Sequence, residues 1–290
     1  MYGVEPICRV LRIAPDTYYR HRRQERYPNC RSSRRRRDEQ LKLEVARVWK
    51  ANREVYGVRK VWRQLNREGI RVARCTTGRL MKELGLRGAS RGRTPRTTIP
   101  SNARRTSDLV RRNFHVEAPN RLWVADLTYV RLRRGGFVYV AFVIDAYSRR
   151  IVGWSVASGM SADLVQRALE QALWERRKRG REPLIHHSDR GAQYQSIRYT
   201  ERLTEAGIRP SMGDVGSSYD NALAETIIGL YKTEEVRKWG PRGTLLQVEL
   251  ATLEWVHWFN HRRLLEPIGD RPPVEHEAEF YRVNGSAAAA

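Results

Sequence analysis

Three acidic residues lie in or near segments that are predicted to form buried strands and a helix, where a carboxylate is unusual unless it has a partner. Asp126 lies in the middle of the apolar run LWVADLTYV at 122–130, which has the composition of a buried strand. Burying an ionised carboxylate by itself is costly, so this acid must be paired, protonated or bound to a metal ion. Asp189 directly follows a second strand-like run at 183–188, and strand ends with short turns are where open sheets place their sites. Glu225 falls on a predicted helix, and these three acids are the candidate catalytic residues.

Other polar residues nearby have simpler interpretations. Asp145 ends a predicted strand before a turn, where an aspartate commonly accepts hydrogen bonds from the local backbone. Asp220 fits the N-cap of the helix that carries Glu225. His186 and His187 precede Asp189, where they either support the site or simply pack at the strand end. The cluster of Trp255, Trp258 and Phe259 is predicted to belong to the core.

The elements that would position the acids follow one another after residue 121. Apolar runs at 122–130, 137–145 and 151–156 predict three successive strands, the first two joined at a Gly-Gly turn. Three strands followed by alternating helix and strand predict an α/β fold with a mixed sheet flanked by helices. The later predicted elements are a helix at 162–179, strands at 183–188 and 208–211, and helices at 196–206 and from Tyr219. A last amphipathic helix has Leu250, Leu253, Trp255, Val256 and Phe259 as its apolar residues.

The region before residue 121 has a helical pattern. Apolar residues at helical spacing predict two short helices around Gly69, the second ending at Gly85. Their apolar positions are Val58, Trp62, Leu65, Leu80, Met81 and Leu84. This pattern fits a helix-turn-helix, or equally a generic helical hairpin. The run RSSRRRR at 31–37 is interpreted as a linker or a basic arm.

Charge is concentrated in this front region. The chain has 290 residues with 55 Lys and Arg against 32 Asp and Glu, a net charge of +23. Residues 1–120 hold 31 basic and 11 acidic residues, which gives +20, whereas 121–290 is nearly neutral. A concentrated basic region indicates a nucleic-acid partner. No apolar run approaches the ~20 residues of a membrane span, and three cysteines without CxxC spacing argue against disulfides or zinc and favour a reducing cytoplasm.

Longer motifs around the acids resemble a known family. VADLTYV, FVIDAYSRRIVGWSV, HHSDRGAQY, SSYDNALAETIIGLYKTE and WFNHRR closely resemble the integrase-core (OrfB-type) transposases of bacterial insertion sequences. Thirty-five residues separate Asp189 from Glu225, as in the D, D, E signature of the retroviral-integrase superfamily. VYGVRKVWRQLNREGI resembles the helix-turn-helix that precedes this core. The resemblance covers about residues 2–282.

The resemblance implies a DNA transposase with an RNase H-like core that cleaves element ends and transfers strands. Asp126, Asp189 and Glu225 would hold two Mg²⁺ ions, with Mn²⁺ as the expected substitute, and Lys232 would touch the DNA end. The implied partners are double-stranded DNA (terminal repeats and target), further copies of the chain in a homo-oligomer, and an upstream-frame protein or fusion segment. The implied place is the bacterial cytoplasm at the nucleoid. A non-catalytic DNA-binding regulator and a nuclease of the same fold are the alternatives.

The domain assignment follows from the charge map and the resemblance. We expect a basic helical arm at 1–37, a helix-turn-helix domain at 38–86, a basic linker at 87–120 and the catalytic core with its C-terminal helix at 121–282. The linker is expected to run along DNA and to pass between protomers or fold back on its own core. The residues expected to contact DNA, besides Lys232, are Arg35, Arg36, Arg74, Arg79, Lys82, Arg91 and Arg93.

Overall fold

The computed structural model describes residues 3–90, 116–177, 183–189, 191, 193–212 and 222–287. The chain separates into two units, residues 1–87 and 88–290. The first unit is helical and the second contains the sheet. Their elements are described separately below.

The first unit consists of five α-helices and one short 3₁₀ turn in its described residues. The helices are α1 (Val4–Val10), α2 (Pro15–Arg26), α3 (Ser33–Ala51), α4 (Val58–Arg67) and α5 (Arg74–Glu83), with the 3₁₀ turn at Pro28–Cys30. The basic run at 31–37, interpreted from sequence as a linker or arm, instead forms the first turns of α3. Its helix is capped by Ser32, whose hydroxyl accepts a hydrogen bond from the backbone N–H of Arg35 at 3.2 Å. The predicted boundary at residue 37 therefore lies inside a helix.

The helices α3, α4 and α5 pack around a small apolar core. Val45, Val61 and Leu80 are fully buried there. The predicted helix at Val58 is present, but Val61 and Leu65 are its buried residues. Trp62 is half-buried, and its indole Nε1 donates a hydrogen bond to the carbonyl of Val72 at 2.8 Å. That bond ties α4 to the turn before α5 and fixes the helix-turn-helix geometry.

A five-stranded mixed sheet forms the centre of the second unit. Its strands are β1 (Leu122–Arg131), β2 (Phe137–Asp145), β3 (Ile151–Ala157), β4 (Leu184–Ser188) and β5 (Ile208–Met212), in the spatial order β3-β2-β1-β4-β5. The strands β1, β2 and β3 pair antiparallel, and β4 and β5 add in parallel beside β1. The helices are α6 (Ala162–Arg176), α7 (Ile197–Glu205), α8 (Ala222–Tyr231), α9 (Leu245–His261) and α10 (Pro273–Ala287). This confirms the predicted mixed α/β sheet flanked by helices.

Helix α6 packs directly on the strand β3 at a glycine. A Cβ built on Gly153 would lie 2.0 Å from the carbonyl oxygen of Ala168 and 3.1 Å from the Cβ of Ala172. Only a residue without a side chain allows this approach. Trp123 and Leu164 belong to the same core cluster between the sheet and α6.

Two elements differ from the sequence prediction. Leu250 and Leu253, predicted among the apolar residues of the amphipathic helix α9, are about half exposed, whereas Trp255 and Phe259 are buried. Helix α10 was not predicted, and it extends to Ala287. Its Glu277 is buried and accepts a hydrogen bond from Arg150 at 3.1 Å, which anchors the helix.

Candidate active site

The strand register brings Asp126 and Asp189 next to each other. Parallel pairing between β1 and β4 ends with Ala125 opposite Ser188, and the two acids are the next residues on their chains. Paired residues of neighbouring strands project to the same face of a sheet, because side chains alternate in step. The point where β4 ends and β1 continues therefore carries two carboxylates side by side.

Asp126 is the acid whose ionisation is most strongly perturbed. Burial, and then the charge of Asp189, raise its pKa from 3.8 to about 8, and the charge of Glu225 adds to this shift. Two contributions oppose the shift: the backbone N–H of Leu127 donates to Oδ1 at 2.7 Å, and Lys232 attracts the anion. Three neighbouring carboxylates cannot all ionise cheaply, so this cluster favours a cation.

Asp189 lies in a tight turn at the end of β4. The backbone N–H of Gly191 donates to its Oδ1 at 3.0 Å. A Cβ on Gly191 would lie 3.1 Å from that oxygen and 2.8 Å from Oε1 of Gln193, so a side chain there would require the Gln193 side chain to move. Burial raises the pKa of Asp189, and the Gly191 hydrogen bond and the charge of His187 oppose this shift.

Glu225 projects from α8, whose residues Ala224, Ile227 and Ile228 are buried. The Glu225 side chain reaches solvent, and it lines one pocket together with Asp126. Partial removal from water raises its pKa. In the part of the chain that the structure describes, no three Asp, Glu, His or Cys side chains lie close enough together to coordinate one ion. The charges of Asp189 and Glu225 both act on Asp126, so both acids lie within electrostatic range of it.

Lys232 follows α8 and begins a π-helical turn, Lys232–Arg237. Its half-buried side chain lines the same pocket as Asp126 and Glu225, and its ammonium lies 5.1 Å from the ring centroid of Tyr129. Burial lowers the pKa of Lys232, and the charge of Asp126 raises it.

The π-helical turn is fixed by an ion pair that sequence reasoning missed. Glu234 and Arg263 are both buried, and the Arg263 guanidinium donates from Nε to Glu234 at 2.9 Å and from Nη2 at 2.5 Å. The sequence signals were Glu234, in the run KTEE directly after α8, and Arg263, the second arginine of WFNHRR. Glutamate and arginine are rarely buried without a partner. Tyr129 and Gly191 were also missed, although both stand in the motifs that carry two of the acids.

Asp145 has the structural role that its sequence position indicated. Its carboxylate accepts hydrogen bonds from the backbone N–H of Asn120 at 2.7 Å and from the N–H and hydroxyl of Ser148 at 2.8 and 2.9 Å. Both histidines are buried at the strand end, where His186 pairs with the hydroxyl of Tyr199 and His187 with that of Ser211, each at 3.0 Å. These contacts favour the packing interpretation.

The aromatic cluster of α9 belongs to the core. Trp255, Trp258 and Phe259 are each at most 4% exposed. The ring of Trp255 meets those of Phe142 and Tyr231 on the sheet face opposite α6. This confirms the predicted core assignment.

The basic residues expected to contact DNA have different surroundings. Arg36, Arg74 and Lys82 are exposed. Arg35 donates from Nη1 to the side chain of Gln24 at 2.8 Å. Arg79 donates from Nη2 to both carboxylate oxygens of Asp38 at 2.9 Å and from Nη1 to Glu83 at 2.8 Å, so its guanidinium is shared with two acids of the protein. Arg91 and Arg93 lie outside the described residues.

Comparisons with known proteins define the class. Two family models described as "Integrase core domain" match residues 116–218 and 206–273, and one described as "HTH-like domain" matches residues 35–94. The "Transposase for insertion sequence element IS629" of Shigella sonnei is 54% identical over 287 residues, covering 98% of this chain and 95% of that protein. A Mycobacterium tuberculosis protein named for insertion sequence element IS986/IS6110 is 59% identical over 274 residues, covering 93% of this chain and 96% of that protein.

Among solved structures, the HTLV-2 integrase catalytic core domain in complex with magnesium aligns with a TM-score of 0.44 and 18% identity, over 55% of this chain and 97% of that one. The integrase-core and HTH-like matches, together with the sheet topology, define a DDE polynucleotidyl transferase. The chain belongs to the transposases of bacterial insertion sequences.

Its function is therefore that of a DNA transposase, and an integrase-type core implies dependence on a divalent metal. The HTH-like and integrase domains indicate binding to DNA. Within the described residues, no helix is long and apolar enough to cross a bilayer.

Proposed function

We propose that Asp126, Asp189 and Glu225 together bind the divalent metal with which this transposase cleaves insertion-sequence ends and joins them to a target. The observation that carries this proposal is the strand register, which brings Asp126, inside β1, beside Asp189, directly after the end of β4. The raised pKa of Asp126 supports it, because the charges of the other two acids contribute to that shift.

The residues suit a hard divalent cation. Mg²⁺ prefers carboxylate oxygens, keeps several waters and needs few protein ligands. When bound, two such ions would activate the attacking oxygen and stabilise the leaving oxygen of the phosphodiester, and we propose Mg²⁺ in two positions with Mn²⁺ able to replace it. Positive charge between the three carboxylates would allow all of them to ionise at neutral pH, which burial and mutual repulsion otherwise oppose.

Lys232 and the basic front region bind the DNA in this proposal. The ammonium of Lys232 lies in the pocket of Asp126 and Glu225, where it would contact a phosphate of the DNA end. Most of the affinity would come from residues 1–120, whose net charge is +20. The proposed phosphate contacts are Arg35, Arg36, Arg74 and Lys82 on the described helices, Arg79 at its two acids, and Arg91 and Arg93 in the linker.

We also propose how copies of the chain assemble on DNA. The DNA partners are the terminal repeats and the target, bound at the nucleoid in the cytoplasm. Joining two ends calls for at least two active sites, so a symmetric homo-oligomer on DNA is the simplest arrangement. The basic linker at 87–120 would connect the helix-turn-helix domain at 38–86 of one protomer to DNA cut by another, and an upstream-frame protein or segment would add further DNA contacts.

A strand-transfer assay on labelled element ends tests the function. The wild-type chain should cleave and join with Mg²⁺ and do neither with EDTA. Asp189→Asn should lose both reactions while it binds ends with nearly unchanged affinity. Asp163→Asn is the matched control, because Asp163 is an exposed acid on α6 whose carboxylate lies 3.6 Å from Arg167. Cleavage without joining would indicate a nuclease. Binding of the element ends without any metal-dependent reaction would indicate a non-catalytic regulator.

A further inference from the structure

The position of Lys232 in the pocket is set at two points. Its backbone begins the π-helical turn that the buried Glu234–Arg263 pair fixes. Its ammonium lies 5.1 Å from the ring centroid of Tyr129, within the range of a cation–π contact. The flexible four-carbon chain of the lysine is therefore held at both ends.

Tyr129 does not have the burial of a core residue. It lies on β1 three residues beyond Asp126, in the part of the strand past the β4 pairing, and it is 53% exposed. Its ring meets that of Phe137 at 87° with centroids 5.3 Å apart, and Phe137 is itself 48% exposed. Two half-exposed aromatic rings bury little apolar area, so packing alone gives a weak account of this pair.

An aromatic ring face can hold the Lys232 ammonium close to the carboxylates without pairing with it as an acid would. A carboxylate partner would take up the N–H donors of Lys232 and draw its charge into the acid cluster. A ring attracts the charge through its quadrupole without a carboxylate acceptor, so N–H donors of the ammonium remain for a phosphate. The pocket that Lys232 lines also contains Asp126 and Glu225, so a phosphate bound there would lie within its reach.

We propose that Tyr129 is a positioning residue: its ring holds the Lys232 ammonium beside the carboxylates so that it binds a phosphate of the DNA end. This inference rests on the proposed function, since it requires the DNA end to enter the pocket of Asp126 and Glu225.

The test is a double-mutant cycle on the full chain, with pre-cleaved labelled ends, Mg²⁺ and single-turnover strand-transfer rates. Tyr129→Leu should lower the rate about tenfold, the value of one partly desolvated cation–π contact. Tyr129→Phe and Tyr129→Trp keep the ring face and should stay within about threefold of wild type. In a Lys232→Met background, Tyr129→Leu should cost nothing further. Trp239→Leu is the matched control, since it removes a similar contact, Lys238 at 5.5 Å from the Trp239 ring, and should leave the rate unchanged.

Equal losses from Tyr129→Leu in the wild-type and Lys232→Met backgrounds would overturn the proposal, as would a Tyr129→Phe variant as slow as Tyr129→Leu. Melting curves would show whether a slow variant is folded, and rescue by Tyr129→Trp distinguishes a lost ring from a lost fold. The same assay distinguishes a failure of the proposed function from a failure of the Tyr129 positioning role. An active Asp189→Asn variant would contradict the metal site, whereas an inactive Asp189→Asn beside a fully active Tyr129→Leu would contradict only the positioning role.

Discussion

Removing the charge of Asp126 is expected to stabilise the metal-free protein at alkaline pH. A carboxyl whose folded pKa is raised from 3.8 to about 8 holds a proton that the unfolded chain releases across that interval. The wild-type protein therefore loses stability as pH rises from about 4 to about 8, and Asp126→Asn does not suffer this loss.

The size of the effect follows from the pKa. At 1.36 kcal/mol for each pKa unit, the full change corresponds to about 6 kcal/mol above pH 8. The side chain is only partly removed from solvent, so screening reduces this by about half, to ~3 kcal/mol. For a domain of this size, that raises the melting temperature by about 6–12 °C.

The assay is thermal unfolding of the full chain in EDTA at pH 8 and at pH 5.5. The advantage of Asp126→Asn should be largest at pH 8 and fall to less than half at pH 5.5. Asp145→Asn is the contrasting control, because the pKa of Asp145 is also raised by burial, to about 6, yet its carboxylate accepts three hydrogen bonds. Its substitution should destabilise the protein by about 1–3 kcal/mol. An Asp126→Asn melting point at or below that of the wild type at pH 8 would show that the Asp126 charge does not destabilise the fold.

Three further predictions concern the scaffold and the DNA affinity. Gly153→Ala should destabilise the protein by about 3 kcal/mol in denaturant titrations, because the new Cβ meets the α6 backbone, whereas Gly159→Ala, with open space around it, should be nearly neutral. Arg263→Met should cost about 3–5 kcal/mol by leaving Glu234 buried without its partner, and adding Glu234→Met should recover most of it. A fragment lacking residues 1–120 should bind DNA more weakly and with a shallower salt dependence, and an equal slope would contradict the charge map.

The sheet and the candidate acids could be read from sequence because their signals are local. An acid inside an apolar strand, as at Asp126, or at a strand end, as at Asp189, is visible without knowledge of any partner. The register that places these two side by side depends on pairing between strands about 60 positions apart, and no local pattern contains it.

Other structural features were predicted wrongly or missed, for physical reasons. Helix α9 carries two apolar stripes, and periodicity cannot tell which one faces the core, so Leu250 was grouped with Trp255 although it is half exposed. Helix α10 contacts the sheet region through the Glu277–Arg150 ion pair, a contact between distant elements that local propensity does not encode. The contact between Lys232 and Tyr129 is of the same kind, since it joins a helical turn to a strand more than a hundred residues earlier.

The most direct test of the central claim is a count of bound Mn²⁺ by electron paramagnetic resonance, in the wild-type chain and in Asp126→Asn, Asp189→Asn and Glu225→Gln. We expect at most two ions on the wild-type chain and at least about tenfold weaker binding in each variant, because the three carboxylates would act as one site. Asp163→Asn should bind as wild type does. Unchanged Mn²⁺ binding in both the Asp189→Asn variant and the Glu225→Gln variant would contradict a shared metal site.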